Sequence, residues 1–446
     1  MARGFRAAAS VSVLIASIWM IWEPLPPGGA SAFAQVTLAD SVSAGDPLAA
    51  PYLERLRTET RILPNDEIRA LWVVRDALVT PESITRLIDF AVQTRTHMIF
   101  VQVRGRGDAF YRSSSEPRAS ILTAPLSDFD PLAYLVTLAQ REGISVHAWI
   151  NVYLVWSNPA ETPPPTHLMA LHPEWLLTDA RGRRMDRVPR GQWSKLGIEG
   201  YFISPAEPGM RRHMARVVRE LVNTYGIDGV HLDYVRYPNK TFAYDPVSRS
   251  EFAVRWGVDP AELVNGDRAA LQKALGASGL SLVDSLSVAQ RVTDVDSMVV
   301  AIRAACAGRA LSAAVVGDPD IASREKAQYW AGWVHKGWVD FVVPMAYNFP
   351  PLELEARAQV YSRLVGRDRF LIGLGVFDGR EEYLAESVEL LRNVGVAGYA
   401  LFSYNAIVKD RYGAALIENA VLPPDTSDVE GDEEPDSSSV DDGGEE

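Results

Sequence analysis

The sequence predicts an α/β fold, a (β/α)8 TIM barrel with long inserted strand-to-helix loops. Three observations point to it: eight short apolar strand candidates, amphipathic helices between them, and two connections far longer than packing requires. The strand candidates are residues 70–75, 98–104, 145–151, 229–234, 311–316, 341–346, 370–376 and 398–404. Most are rich in Val, Ile and aromatic residues, the pattern of parallel strands buried on both faces. Neither GxGxxG nor GxxxxGK[ST] occurs to support a nucleotide-binding sheet.

The helices carry their own start and stop signals. Thr80 can cap a helix with Pro81 in its first position, and Ile84, Leu87, Ile88, Ala91 and Val92 form one apolar stripe. Asp130-Pro131 opens another that runs to Gly143. A third carries Met210, Met214, Val217, Val218, Leu221 and Val222 on one face and stops at Gly226. The long connections are 152–201, with Pro163-Pro164-Pro165 and His172-Pro173-Glu174-Trp175, and 238–288, with room for small helices. Long loops at the C-terminal ends of strands are where barrel enzymes build substrate clefts.

Four regions result. Residues 1–34 read as an export signal or N-terminal anchor: Arg3 and Arg6 precede an uncharged apolar run from Ala7 to Trp22, and Ala32-Phe33-Ala34 offers a cleavage site. A lead-in segment, 35–65, holds one short helix at about 51–60. The barrel spans 66–420, and 421–446 is a tail with eleven acidic residues and no Lys or Arg. Without the tail the formal charge changes from −13 to −2, so the folded part is nearly neutral and offers no basic patch for nucleic acid. The tail's composition predicts disorder. The protein is expected to work outside the cytoplasm, secreted or periplasmic, with any membrane contact through the N-terminal segment.

Cys306 is the only cysteine, which excludes an intrachain disulfide and a CxxC pair, and it reads as a small buried helix residue. Seven histidines without HxH or HExxH spacing give no case for a metal, and no cofactor is expected.

The strongest local signal is Asp228-Gly229-Val230-His231-Leu232-Asp233-Tyr234-Val235-Arg236-Tyr237-Pro238. Strand alternation puts Val230 and Leu232 on one face and His231 and Asp233 on the other. If the apolar pair faces the helices, Asp233 points into the barrel near its C-terminal rim. A carboxylate there is costly unless paired or used, which makes Asp233 the candidate catalytic residue. Asp228, at the opposite end of the strand, reads as structural. Gln102 and Arg104 share one strand face, as do His147, Trp149 and Asn151. With Tyr111, His231, Arg236, Tyr237, Tyr347, Asn348 and Tyr404 they form the candidate substrate-binding set.

In order along the chain, Arg69-Ala-Leu-Trp72-Val, Gln102-Val-Arg104 with Gly107-Asp108-Ala-Phe-Tyr111, His147-Ala-Trp149-Ile-Asn151, the Asp228–Pro238 segment, Trp338-Val-Asp340 through Tyr347-Asn348, and Gly398-Tyr-Ala-Leu-Phe402-Ser-Tyr-Asn405 resemble the bacterial glycosyl hydrolase-like family 10. The resemblance covers roughly residues 66–408. It implies a barrel glycosidase linked to cell-envelope glycans, some relatives acting on the glycan strands of peptidoglycan. Such proteins commonly carry two consecutive acids on the fourth strand, and here Tyr234 stands in the second place. A more distant similarity to family-eighteen chitinases covers Asp228, Gly229, Asp233, Met345 and Tyr347, but Val235 occupies the position of their acid-donating Glu.

Glycoside hydrolysis ordinarily needs two carboxyl groups. The partners considered for Asp233 are Asp108, after the second strand, and Asp318 and Asp320, after the fifth, with Asp76 after the first. Asp108 is preferred, because Gly317-Asp318-Pro319-Asp320 also reads as an ordinary turn or helix cap. The competing reading is a non-catalytic glycan-binding barrel, and a third is a scaffold whose acidic tail recruits a basic partner. Deleting residues 424–446 removes no expected strand, helix or cleft residue. The truncated protein should keep its melting temperature and its turnover, and a large fall in either would assign the tail a structural or catalytic role.

Overall fold

The computed structural model describes residues 51–59, 67–122, 128–158, 161–266, 268–347, 349–377 and 383–409. The expected export segment, most of the lead-in, the acidic tail and Asn348 lie outside these residues. Eight strands form a closed barrel: β1 (Ile68–Val73), β2 (Met98–Arg104), β3 (Ser145–Asn151), β4 (Gly229–Asp233), β5 (Ala310–Val316), β6 (Phe341–Met345), β7 (Ile372–Gly375) and β8 (Gly398–Phe402). Each pairs in parallel with its neighbours in chain order, and β1 closes on β8 with Ala70 opposite Ala400. The (β/α)8 barrel expected from the sequence is the fold observed.

Helix α1 (Tyr52–Glu59) precedes the barrel, and α2 (Pro81–Gln93), α3 (Pro131–Arg141) and α4 (Pro208–Thr224) follow the first three strands. The long loop before α4 contains a short antiparallel ribbon, Leu154–Trp156 with Tyr201–Phe202. After β4 come α5 (Pro246–Trp256), α6 (Pro260–Asn265) and α7 (Arg268–Ala305), the last kinked at Gly276. The outer layer is completed by α8 (Pro319–Lys326), α9 (Trp330–His335), α10 (Pro351–Val365), α11 (Leu384–Val394) and α12 (Tyr404–Lys409).

The helices begin where local chemistry dictates. Thr80 accepts from Ser83 N–H while Ser83 Oγ accepts from Thr80 N–H, a reciprocal cap ahead of Pro81. A capping acid followed by proline recurs at Asp130, Glu207, Asp245, Asp259 and Asp318. On α4 the predicted stripe is buried, and the helix ends at Thr224, two residues before Gly226. Cys306, just past α7, is fully buried.

Alternation divides the core. Val230 and Leu232 pack outward under the helices, whereas Trp72, Phe100, Trp149, Phe341 and Val343 fill the barrel. Leu53 and Leu56 of α1 join this inner cluster, and Tyr52 Oη lies 3.0 Å from His147 Nε2, so α1 closes the barrel at the N-terminal ends of its strands. The inner polar groups form a chain of fixed direction. Trp72 Nε1 donates to His231 Nε2 at 3.0 Å, and an indole N–H can only donate. His231 Nδ1 therefore carries the proton and donates to Ser312 Oγ at 2.9 Å, and the Ser312 hydroxyl lies 3.3 Å from His147 Nδ1 and 3.4 Å from the Val230 carbonyl, to which it can donate. Burial holds both imidazoles neutral: it lowers His147 to about 3 and His231 well below its ordinary value, with neighbouring His147 adding to the latter.

The insertion after β4 packs on a buried carboxyl group. Asp294 of α7 accepts from Gln290 Nε2 at 2.9 Å and from Tyr237 Oη at 3.2 Å. Burial pushes its pKa up to about 7, with Glu251 and Asp245 adding to the rise against these hydrogen bonds. An unfolded Asp titrates near 3.9, so this proton stabilises the fold fully below about pH 4 and the contribution disappears as pH rises through 7. At about 1.4 kcal/mol per unit, the loss is on the order of a few kcal/mol. In Asp294→Asn, denaturation midpoints measured between pH 5 and 8 should fall less with rising pH than in the wild type. Parallel curves for the two proteins would reject this assignment.

Candidate active site

The site is built from the C-terminal ends of β2, β3 and β4 and the loops that follow them. Gly229, at the start of β4, leaves room for the His147 ring, since a Cβ there would lie 2.5 Å from His147 Cε1. Four residues later, Asp233 reaches the rim with 8% of its surface exposed. The chain then turns sharply: Tyr234 has φ of +49°, a left-handed conformation that costs an aromatic residue about 1–2 kcal/mol. The turn brings Tyr234 N–H to within 2.6 Å of Asp233 Oδ1.

Burial pushes the Asp233 carboxyl up to about 6. The Arg236 guanidinium opposes the rise, as do hydrogen bonds from Tyr234 N–H and the Trp149 side chain, while Glu199 adds to it. Glu199 is the acid that shares this rim. It comes from the end of the long loop after β3, is half exposed, and accepts from Arg236 Nη2 at 3.1 Å. Tyr234 also hydrogen-bonds to it, and Arg236 lies over the Tyr234 ring at 4.8 Å. Two carboxyl groups, one buried and one open to solvent, thus share one arginine. An aromatic wall stands beside them: Tyr347 stacks on Phe402 at 5.1 Å, and the charge of Asp233 reaches its hydroxyl.

A polar arc leads from this pair across the neighbouring strands. Trp149 Nε1 donates to Asn151 Oδ1 at 3.0 Å, Gln102 Nε2 donates to the same oxygen at 3.5 Å, and Arg75 Nη1 donates to Gln102 Oε1 at 2.8 Å. Of the candidates from the sequence, the structure therefore brings together Asp233, Arg236, Trp149, Asn151, Gln102 and Tyr347.

Others it places elsewhere. His147 and His231 face inward as expected, but they are fully buried in the inner chain below the rim, away from any substrate. Arg104 is fully buried because the strand register shifts between Gln102 and Arg104, and its guanidinium pairs with Glu116 at 2.5 Å and with the Asn151 carbonyl. Tyr111 is buried edge-on against Tyr225 at 5.8 Å, and Tyr237 is committed to Asp294. Tyr404 packs on Phe90 and lines a groove of about 680 Å³ between α2 and α12, outside the barrel wall and without Asp233 or Glu199 in its lining. Asp318 caps α8 through Ile321 N–H at 3.0 Å and pairs with Arg357 at 3.0 Å. Burial raises its pKa, but these bonds win and hold it below the usual carboxylate range. Asp108 is buried, accepts from Arg106 N–H at 3.0 Å, lies 3.7 Å from the Arg106 guanidinium, and its charge acts on Arg75 at the far end of the polar arc. Neither Asp108 nor Asp318 is among the groups that chiefly set the charge state of Asp233. Among the described residues, no group of three His, Cys, Asp or Glu side chains could hold a metal ion.

Sequence reasoning missed Glu199 and Arg75. Glu199 lies in Gly197-Ile198-Glu199-Gly200-Tyr201, an acid between glycines at the end of a loop, and only its sequence distance from Asp233 hid it.

The model of the Glycosyl hydrolase-like 10 family matches residues 67–365. Among curated proteins, Glycosyl hydrolase YngK of Bacillus subtilis is 25% identical over 191 residues, 39% of this chain and 34% of that protein. Glycosyl hydrolase DigH of Escherichia coli is 26% identical over 160 residues, 35% of each chain. The matches thus span about a third of the length of these relatives. Among solved structures, the PgaB (BpsB) glycoside hydrolase domain from Bordetella bronchiseptica aligns with a TM-score of 0.58 at 16% identity, covering 80% of this chain and 99% of that one. The catalytic domain of β-amylase from Paenibacillus polymyxa aligns with a TM-score of 0.50 at 12% identity, covering 78% and 95%. At these identities the structural likeness shows a shared barrel fold.

Arg236 is the cation that pairs with Glu199 and whose charge acts against the rise of Asp233. In Arg236→Met, the Asp233 carboxyl should titrate higher by about one unit, because the opposing charge is lost. Carboxyl titration by ¹³C NMR reads this directly, and an unchanged or lowered titration would separate Arg236 from the electrostatics of Asp233.

Proposed function

The chain belongs to the Glycosyl hydrolase-like 10 family, and from that premise we propose that it is a glycoside hydrolase acting on a bacterial envelope polysaccharide, with peptidoglycan glycan strands as the first candidate substrate. The observation that carries this reading is the Asp233–Glu199 pair. Two carboxyl groups that share one arginine and differ in burial can divide acid and base roles. Asp233, raised to about 6, holds its proton in mildly acidic solution, where it can protonate the leaving glycosidic oxygen. Glu199, paired with Arg236, supplies the carboxylate that attacks the sugar or activates water. This assigns to Glu199 the partner role that the sequence suggested for Asp108 or Asp318. Trp149, Asn151, Gln102, Arg236 and Tyr347 line the same rim and are the proposed sugar contacts. The apolar N-terminal segment with its Ala32-Phe33-Ala34 site supports action outside the cytoplasm.

Incubation with purified peptidoglycan and other envelope glycans, followed by mass spectrometry of new reducing ends, tests the reaction. Asp233→Asn and Glu199→Gln should each lower turnover by about 100-fold or more with the fold intact, whereas Asp108→Asn and Asp318→Asn should leave the pH dependence in place. The wild-type rate should fall as pH rises above about 6, because the acid then loses its proton. A variant of Asp233 that kept more than about a tenth of wild-type turnover would have raised the barrier by less than about 1.4 kcal/mol, and Asp233 would not be the acid. Glycan binding without any product would establish a binding protein instead.

A further inference from the structure

The nearly neutral charge of the folded part conceals one dense stretch. Between Asp179 and Lys195, the long loop after β3 carries Arg181, Arg183, Arg184, Arg187, Arg190 and Lys195 against two acids. Both acids are engaged within the loop. Asp179 Oδ2 accepts from Arg183 Nε at 3.0 Å, and the Asp186 carboxylate accepts from Arg184 Nε and Nη2, each at 2.7 Å. Arg187 lies 3.6 Å from the same carboxylate but is mostly in solvent. Arg181, Arg190 and Lys195 form no ion pair with any described residue. A surplus of four positive charges remains on this stretch.

The loop presents these charges on a fixed frame. Met185, Val188 and Trp193 are buried beneath it, the Trp193 indole donates to the Val188 carbonyl at 3.2 Å, and Arg184 bridges to Thr178. Arg181, Arg187, Arg190 and Lys195 are exposed between these anchors, and Glu199 follows Lys195 by four residues. One exposed ion pair contributes little, so a surface of this kind suits a polyanion rather than a single carboxylate. The chain contains one: residues 425–446 hold eleven acids and no Lys or Arg. Lys409 precedes Asp425 by 16 residues, a length that spans up to about 50 Å when extended. A globule of this size has a radius of gyration of about 20 Å and so a diameter of about 50 Å. Linkage makes each contact intramolecular, at an effective concentration on the order of millimolar, which favours this polyanion over one in solution.

We propose that the acidic tail, residues 425–446, docks on the basic loop 181–195 of its own chain, alongside the Glu199 end of the cleft. The contact uses the outward side chains of the loop and neither Asp233 nor Glu199, so it is independent of the reaction.

A nitroxide on Ser438→Cys in the full chain reports where the tail lies, through broadening of ¹H–¹⁵N amide signals. Cys306 does not compete for the label, because it is buried and burial pushes its thiol up to about 12. At about 0.01 M salt the amides of 181–195 should broaden, and most of the effect should vanish at about 1 M, where charges are screened beyond about 3 Å. Replacing Arg181, Arg187, Arg190 and Lys195 by Gln should abolish it. If that variant fails to fold, changing the eleven tail acids to Asn and Gln must abolish it instead. Three results would each overturn the proposal: no broadening of the loop at low salt, broadening that survives high salt or either set of substitutions, or broadening centred on the exposed Arg212, Arg216 and Arg219 of α4. Polygalacturonate, a polyanionic glycan, should bind the full chain several-fold more weakly than the chain with neutralised tail acids. Equal binding would show that the loop is open to an outside polymer and that the tail does not occupy it.

Discussion

A carboxyl group taken out of water needs a counter-charge or a proton, and the rim of this barrel supplies only part of the first. Alternation along β4 commits Asp233 to the inner face, where burial removes most of its hydration. Arg236 is close enough to oppose its desolvation, yet its guanidinium forms an ion pair with Glu199. One guanidinium therefore serves two acids. The exposed acid takes the hydrogen bond, while the buried acid keeps its proton to higher pH than an ordinary carboxyl group. This division follows from burial alone and needs no special chemistry at either residue.

The layer beneath answers the same difficulty in a different way. A barrel interior that includes two imidazoles and a serine hydroxyl is stable only if every polar atom is satisfied without net charge. Trp72 N–H sets the direction, His231 and Ser312 pass it on, and Tyr52 of α1 meets His147 at the far end. Apolar packing in this layer and polar packing in the rim are thus continuous. The same Trp72 that orients His231 lies edge-on to Tyr347, part of the wall beside Asp233.

How much of this was legible depended on whether the governing interaction was local in sequence. The strands, the capped helix starts and the inward direction of Asp233 follow from period and spacing, which act over a few residues. Period also put His231 on the inner face, but it does not measure depth: two residues along a strand separate a rim from a sealed core. Arg104 shares the nominal face of Gln102, and only a register shift between them, invisible in the sequence, turns it to Glu116. Asp318 was legible as a cap because Asp-Pro is a local signal that recurs in this chain. Glu199 was not, because its relation to Asp233 runs through the folding back of a long loop onto Arg236, and loop closure leaves no periodic trace.

The two kinds of buried group also act on the pH dependence of stability with opposite signs. His147 titrates near 3 in the fold and about 6.5 when unfolded, so the unfolded chain binds more protons in between and stability falls as pH falls through that range. His231, also lowered by burial, acts the same way. Asp233 and Asp296, each raised to about 6, and Asp294, raised to about 7, bind protons in the fold that an unfolded Asp releases near 3.9. Their contribution is therefore greatest in acid and falls as pH rises. Each group contributes a slope of at most about 1.4 kcal/mol per pH unit, and between about pH 4 and 6 the slope of His147 opposes that of each of these carboxyl groups. Buried acids at the rim and in the β4 insertion thereby counter the acid sensitivity that neutral histidines impose on the barrel interior, across the same pH range in which Asp233 must hold its proton to act as an acid.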